Sequence, residues 1–262
     1  MNFKNKILIS ISSFNDLSLD ADGYVLGYEK YTLFAEKNFL YEEIKNIKEK
    51  NKIYLLLNAL INENEIEDAK KEIKILIDDG FNLIISDFGL FNYAHKIKKQ
   101  NILIFQSYTL ISNKNDYFTY QELFDENLGI SPFIDKNDLI ELSKNKGSFI
   151  YGFGYLPLYQ SHRKVLSIYE DFHQKALPKQ NLFLKEDLRN ELYPIIENQL
   201  GSVIFKSHPI SLLSDIDEYN DANFLFLDFL FLEEYKSDIL MAFKNGDEEL
   251  IKELEDKVKA NQ

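Results

Sequence analysis

The chain of 262 residues has no cysteine and no tryptophan. Without cysteine there are no disulfides, no thiolate nucleophile, no zinc–thiolate site and no cysteine-ligated iron–sulfur cluster. Long apolar runs are missing too. Ile7–Ile11 is too short for a secretory core, and Phe224–Leu232 is interrupted by Asp228. The expectation is a soluble, cytoplasmic protein with no membrane association. Positive charge is also in short supply, with 30 Lys and Arg against 43 Asp and Glu, a net charge of −13. Such a surface repels phosphate backbones, so nucleic-acid binding is expected only through a local basic patch or a basic partner. No GxGxxG, Walker sequence, HExxH or Gly-x-Ser-x-Gly occurs, which removes support for nucleotide loops, zinc proteases and serine hydrolases.

What is present is a core-forming composition, 45% hydrophobic with 21 Phe and 16 Tyr. Strand and helix patterns alternate. Ile7–Ile11, Asp20–Gly27, Lys52–Asn58, Asn82–Ser86, Ile102–Gln106, Leu128–Ile134, Ser148–Tyr151 and Phe224–Leu227 read as strands. Phe39–Lys50, Asn62–Asp79, Gly89–Lys98, Tyr117–Asn127 and Asp135–Ser143 read as helices between them. KIYLLLN at 52–58 is apolar on both faces, the pattern of a strand in a covered parallel sheet. Eight strands with covering helices predict an α/β (β/α)8 TIM-barrel-like fold over residues 1–232, with an open doubly wound sheet as the runner-up. Residues 173–209 break the rhythm and read as an extended insertion, and 233–262 as a charged helical tail hinged at Asn245-Gly246.

Gly147–Phe172 (GSFIYGFGYLPLYQSHRKVLSIYEDF) is the most informative stretch. It reads as a strand broken into a loop at Gly152, Gly154 and Pro157, followed by Ser161, His162 and Arg163. Arg163 offers a fork for a carboxylate or phosphate and His162 a proton shuttle near neutral pH. On a barrel the carboxyl ends of the strands form the active face, which adds Glu29, Asn58, Asp87, Gln106, Ser107 and Asp228. Asp87, His162 and Arg163 are the candidate catalytic residues. Glu29, Asn58, Ser107, Asn113 and Ser161 are the candidate substrate contacts. Each has a plain alternative: Asp87 as a helix cap, Asn58 as a clamp on a neighbouring loop, His162 and Arg163 as surface residues. Paired carboxylates at the strand ends could serve acid–base work or hold a divalent metal, but no residue is singled out as a metal ligand, and His95, His173 and His208 lack acidic or histidine partners at ligand spacing.

The order and spacing of GYEKYTLFA (27–35), YLLLN (54–58), IISD (84–87), Ser107–Asn113, the 147–172 stretch and KEDLRNELYPIIENQLGSVI (185–204) resemble the peptidase U32 family of collagenase-like proteases. Within the last segment, Arg189, Tyr193-Pro194, Glu197 and Gly201 carry the likeness. The family includes proteins of tRNA wobble-uridine hydroxylation, so the resemblance implies a barrel and a role in tRNA 5-hydroxyuridine formation, as enzyme or subunit. It also implies a homologous U32-type partner subunit and a small carboxylate ligand such as prephenate. A peptidase of undefined mechanism is the alternative. Two family features are absent. Phe153 and Pro157 stand where a His and a Cys are usual, and Ile130-Ser131-Pro132-Phe133 stands in place of an Arg-Glu pair. Some relatives' iron–sulfur ligation cannot transfer to a chain without cysteine; any other cofactor is unknown.

Overall fold

The computed structural model describes residues 6–178, 182–186, 188 and 191–253. Eight parallel strands close on themselves: β1 (Lys6–Ser10), β2 (Gly23–Tyr28), β4 (Ile53–Leu57), β5 (Asn82–Ile85), β6 (Leu103–Phe105), β7 (Asn127–Gly129), β8 (Ser148–Gly154) and β14 (Phe224–Leu227), with β14 returning to β1. The two-residue strand β3 (Asn38–Phe39) flanks β2, and β13 (Ile210–Ser211) runs antiparallel to β8. This is a TIM-barrel-like α/β fold. Strand residues are buried on both faces because one side points into the barrel and the other under helices. Tyr54 and Phe224 belong to non-neighbouring strands, yet their rings lie 6.3 Å apart, so both fill the interior.

The helices follow local rules. In α2 (Ile66–Asp78), Ala69, Ile73, Leu76 and Ile77 form the buried face. Asp87 caps α3 (Phe88–Ile97), Asn113 caps α4 (Lys114–Phe124) and Asp135 caps α5 (Lys136–Ser143). The helix expected over 39–50 shrinks to the single turn α1 (Tyr41–Ile44). A tight turn, Ile47 N–H to Ile44 O at 3.0 Å, already seats both apolar residues against the core. The strand expected over 128–134 leaves the sheet after Gly129, where Ser131 N–H bonds instead to Ile111 O.

The Gly152–Pro157 break is also shorter than expected. β8 runs on through Gly152, whose missing side chain leaves room for Leu225. After Gly154 the chain re-enters regular structure as β9 (Pro157–Ser161). Pro157 is tolerated because β9 is an edge strand and Pro157 is its first residue. β9 belongs to a second, antiparallel sheet ordered β10 (Phe183–Glu186), β11 (Glu191–Asn198), β12 (Gly201–Phe205), β9. The extended insertion thus supplies three of these strands and the segment before it the fourth. Helix α6 (Val165–His173) lies between β9 and β10 in the chain. The tail holds α7 (Lys236–Asn245), a turn at Gly246 with φ 70°, and helical residues 248–253. No helix among the described residues is long and apolar enough to cross a membrane.

Gly154 is the point where barrel and lobe separate. Its φ is 127°, and a Cβ there would lie 2.5 Å from Asp228 O and 2.9 Å from the Tyr151 hydroxyl. Gly154→Ala is expected to lose roughly 2 kcal/mol or more of stability from backbone strain alone. A urea midpoint within error of wild type would show that this crossing is relaxed.

Candidate functional site at the barrel mouth

The carboxyl ends of the strands converge on a mouth that is filled by the protein itself. Asn58, 1% exposed, follows β4. Its Oδ1 accepts from Leu33 N–H at 2.8 Å and Phe34 N–H at 3.4 Å, and its Nδ2 donates to Phe34 O at 2.8 Å. The side-chain amide is therefore engaged at both ends by the loop after β2. That grip turns Phe34 inward, where its ring meets Tyr108 at 5.6 Å and Phe205 of β12 at 5.5 Å. Asn198 of the lobe donates to Thr32 O at 3.2 Å and Leu33 O at 2.9 Å, and Gln160 donates to Asn58 O at 3.0 Å. Loop, barrel and lobe form one plug.

A charged cluster lies buried beside the plug. Ser10, ending β1, donates to Glu36 Oε1 at 3.0 Å and accepts from Phe229 N–H at 2.7 Å. Lys236, opening α7 and 4% exposed, bridges Glu36 at 2.8 Å and Asp16 at 2.7 Å. Asp228, just past β14, accepts from the Tyr151 hydroxyl at 2.9 Å and from Leu230 N–H at 3.1 Å. Burial pushes Glu36 up to about 7 despite the hydrogen bond and charge of Lys236. Burial also raises Asp228, against its hydrogen bonds from Leu230 and Tyr151. It raises the Tyr108 and Tyr151 phenols as well, and the nearby Asp228 charge adds to both. For Lys236, burial opposes the charge, but Asp16 and Glu36 outweigh it and hold the ammonium above its usual value. An open depression of about 670 Å³, lined by Ala35, Glu36, Ile196, Phe229, Phe231 and Glu233, adjoins this cluster. Phe231 has φ 68°, and its ring packs on Phe205 and Tyr155.

The residues expected from the sequence do not meet at one point. Asp87 is half-buried and accepts from Leu90 N–H at 2.9 Å, the cap of α3. Asn113 is exposed and caps α4 through Asp116 N–H at 3.0 Å. Ser107 Oγ accepts from Leu110 N–H at 3.2 Å, a turn within its own loop. Ser161 Oγ accepts from Arg163 N–H at 3.1 Å. His162 and Arg163 are exposed on the lobe. His162 joins Lys30, Tyr31, Asn62, Asp68 and Gln199 around a depression of about 420 Å³ between lobe and barrel rim. Glu29 is exposed and lines a neighbouring depression with Asn38 and Asn198. Of the insertion residues, Tyr193 donates toward Glu186 at 3.1 Å and Glu191 at 2.5 Å; Asp187 and Arg189 lie outside the described residues. His95 does find a carboxylate, Glu126 at 2.9 Å, with Lys98 on the same oxygen.

Sequence reasoning reached Asp228 and Gln106 and missed Ser10, Glu36, Tyr108, Tyr151 and Lys236. Ser10 could have been found, since it ends the first strand as Asp228 follows the last, and those strands are neighbours in a closed barrel. Gln106 is 2% exposed with neither end of its amide bonded within the described residues. Among those residues no group of three or more His, Asp or Glu is placed to hold a metal ion.

Fold and mouth together define a closed parallel α/β barrel with an antiparallel lobe folded over its carboxyl-end face. The model of peptidase family U32 matches residues 16–176, more than half of the chain, and the chain belongs to that family. The likeness noted at 185–204 falls outside this span. Among solved structures, the fold is similar to that of the U32 peptidase Mk0906, with a TM-score of 0.52 and 10% identity over 85% of this chain and 92% of that one. At that identity the likeness is one of fold. No curated protein matches the sequence.

Two expectations follow. Asn58→Ala strands two amides and a carbonyl in a buried setting, at about 1–3 kcal/mol each. Its unfolding free energy is expected to drop by at least ~3 kcal/mol; a drop under 1 kcal/mol would mean the loop is not clamped. The second concerns pH. Glu36 holds its proton to a higher pH when folded than the ordinary carboxyl value of 4.5, so the folded state binds more protons between about pH 4.5 and 7. Its contribution to stability therefore falls as pH rises through that window and levels off above it. Subtracting a Glu36→Gln pH–stability curve from that of wild type should isolate this fall; a flat difference refutes it.

Proposed function

We propose that this chain takes part in tRNA wobble-uridine hydroxylation as a non-catalytic subunit beside a catalytically complete U32 homologue. The observation that supports it is the plug. The position where a barrel enzyme holds its substrate is occupied by Phe34, Tyr108 and Phe205. The residues that stand in place of the family's His, Cys and Arg-Glu pair agree with a member whose mouth serves packing rather than chemistry. Phe153 is 2% exposed, and its ring packs 6.0 Å from Phe243 of α7. In this reading the protein works in the cytoplasm, and the acidic surface leaves the grip on tRNA to the partner. A small carboxylate such as prephenate, if this chain carries one, meets Arg163 on the lobe with His162 beside it.

A second reading rests on Glu36 and Asp228. Two buried carboxyls with raised pKa values, one at the edge of an open depression, are the equipment of acid–base hydrolysis, which keeps a peptidase activity in view. Against it, Glu36 is already engaged by both Ser10 and Lys236.

Deleting the gene is expected to remove 5-hydroxyuridine-derived nucleosides from tRNA, read by mass spectrometry. Complementation with Glu36→Gln and Asp228→Asn variants that still fold should restore them. Unchanged nucleosides in the deletion strain would end the tRNA reading. Restoration by wild type alone would shift the role from subunit to catalyst.

A further inference from the structure

Helix α6 is composed like a buried helix and placed like a surface one. Val165, Leu166, Ile168, Tyr169 and Phe172 are apolar, yet none of its residues is buried. The other six α-helices described here each bury at least one. Ile168 and Tyr169 are about half exposed and Phe172 is 82% exposed. Positions 165, 168, 169 and 172 fall on one side of a helix, so they form an outward apolar stripe.

The stripe is held in place. Glu197 accepts from Leu166 N–H at 2.7 Å and Ser167 N–H at 3.1 Å, and Ser202 Oγ accepts from Val165 N–H at 3.0 Å. These bonds satisfy the free amides of the first turn and set a carboxylate at the positive end of the helix. At the other end Leu177 N–H bonds to Glu170 at 2.6 Å. An anchored helix with its apolar side turned outward needs a cover.

Charge selects the cover. Residues 157–206 hold seven Lys and Arg against six Asp and Glu, whereas the whole chain holds 30 against 43. The acidic excess therefore sits on the barrel and tail, and two copies repel least when lobe meets lobe. The helix is also self-complementary. Arg163 and Lys164 precede it, where cations gain nothing from its dipole, and Glu170 and Asp171 lie near its end. An antiparallel approach about a two-fold axis sets Lys164 of each copy at Asp171 of the other, and Arg163 at the Phe172 ring of the other. We propose that α6 is the centre of a two-fold interface between two copies of this chain.

The test is sedimentation of the purified full chain across roughly 1–100 µM, a range suited to an interface at the small end of the stable class. Wild type is expected to reach dimer mass within it. Phe172→Glu should remain monomeric with its circular dichroism and thermal midpoint unchanged, because the side chain touches little in the monomer. Lys164→Glu should weaken association by about 10-fold or more, and Lys164→Glu with Asp171→Lys should recover it, since each copy then carries the reversed pair. A wild type monomeric throughout overturns the proposal, including the case where the stripe serves a different protein. So does a dimer indifferent to Phe172→Glu, or a double variant no better than Lys164→Glu alone.

Discussion

A buried asparagine has two hydrogen-bonding ends to satisfy, and at Asn58 both are satisfied by the backbone of residues 33 and 34. Most of what lies above the barrel depends on that. With the loop fixed, Phe34 is buried, Tyr108 and Phe205 pack against it, and Asn198 finds carbonyls at Thr32 and Leu33. The Asn58 carbonyl takes Gln160 from β9 as well, so one residue joins the loop, the barrel and the β9 edge of the lobe. The lobe is in this sense part of the plug.

The tail is fixed by a different principle. Lys236 is taken out of water at the start of α7 and kept charged by Asp16 and Glu36. Removing one member of such a group leaves an uncompensated buried charge, so the three hold one another's positions more than they add net stability. Ser10 extends the set to the turn after β14 by accepting from Phe229 N–H. The first strand, the last strand, the loop after β2 and the tail helix therefore meet in one polar cluster, beside the aromatic one of Phe34, Tyr108 and Phe205.

The barrel was legible because its signals are local and repeated. KIYLLL reads as a doubly covered strand, the spacing of Ala69, Ile73, Leu76 and Ile77 as a helix face, and both are found as such. The broken rhythm over 173–209 pointed to extended segments, and strands run there, but nothing in it told that β9 would pair with β12. Gly152 and Gly154 signal a break and equally a close approach between strands, and only packing against Leu225 and Asp228 decides between them. The site was less legible. Asp87 and Asn113 have the chemistry of a site and also of a helix cap, and here each caps the helix that follows it. Glu36 and Lys236 are 200 residues apart, so no spacing rule links them. The α6 stripe could be read as amphipathic, but its outward orientation is set by Glu197 and Ser202 from strands later in the chain.

The central claim is that the mouth is closed by the protein's own loop, and the amides of Leu33 and Phe34 report on it directly. Both are hydrogen-bonded to Asn58 beneath the lobe, so in native-state hydrogen exchange they should be protected like the amides of β4 and β5 rather than like a surface loop. Protection at the level of those strands supports a permanently filled barrel. Exchange as fast as the exposed turn at Glu63–Glu65 would mean that the loop lifts readily, and would contradict a closed mouth.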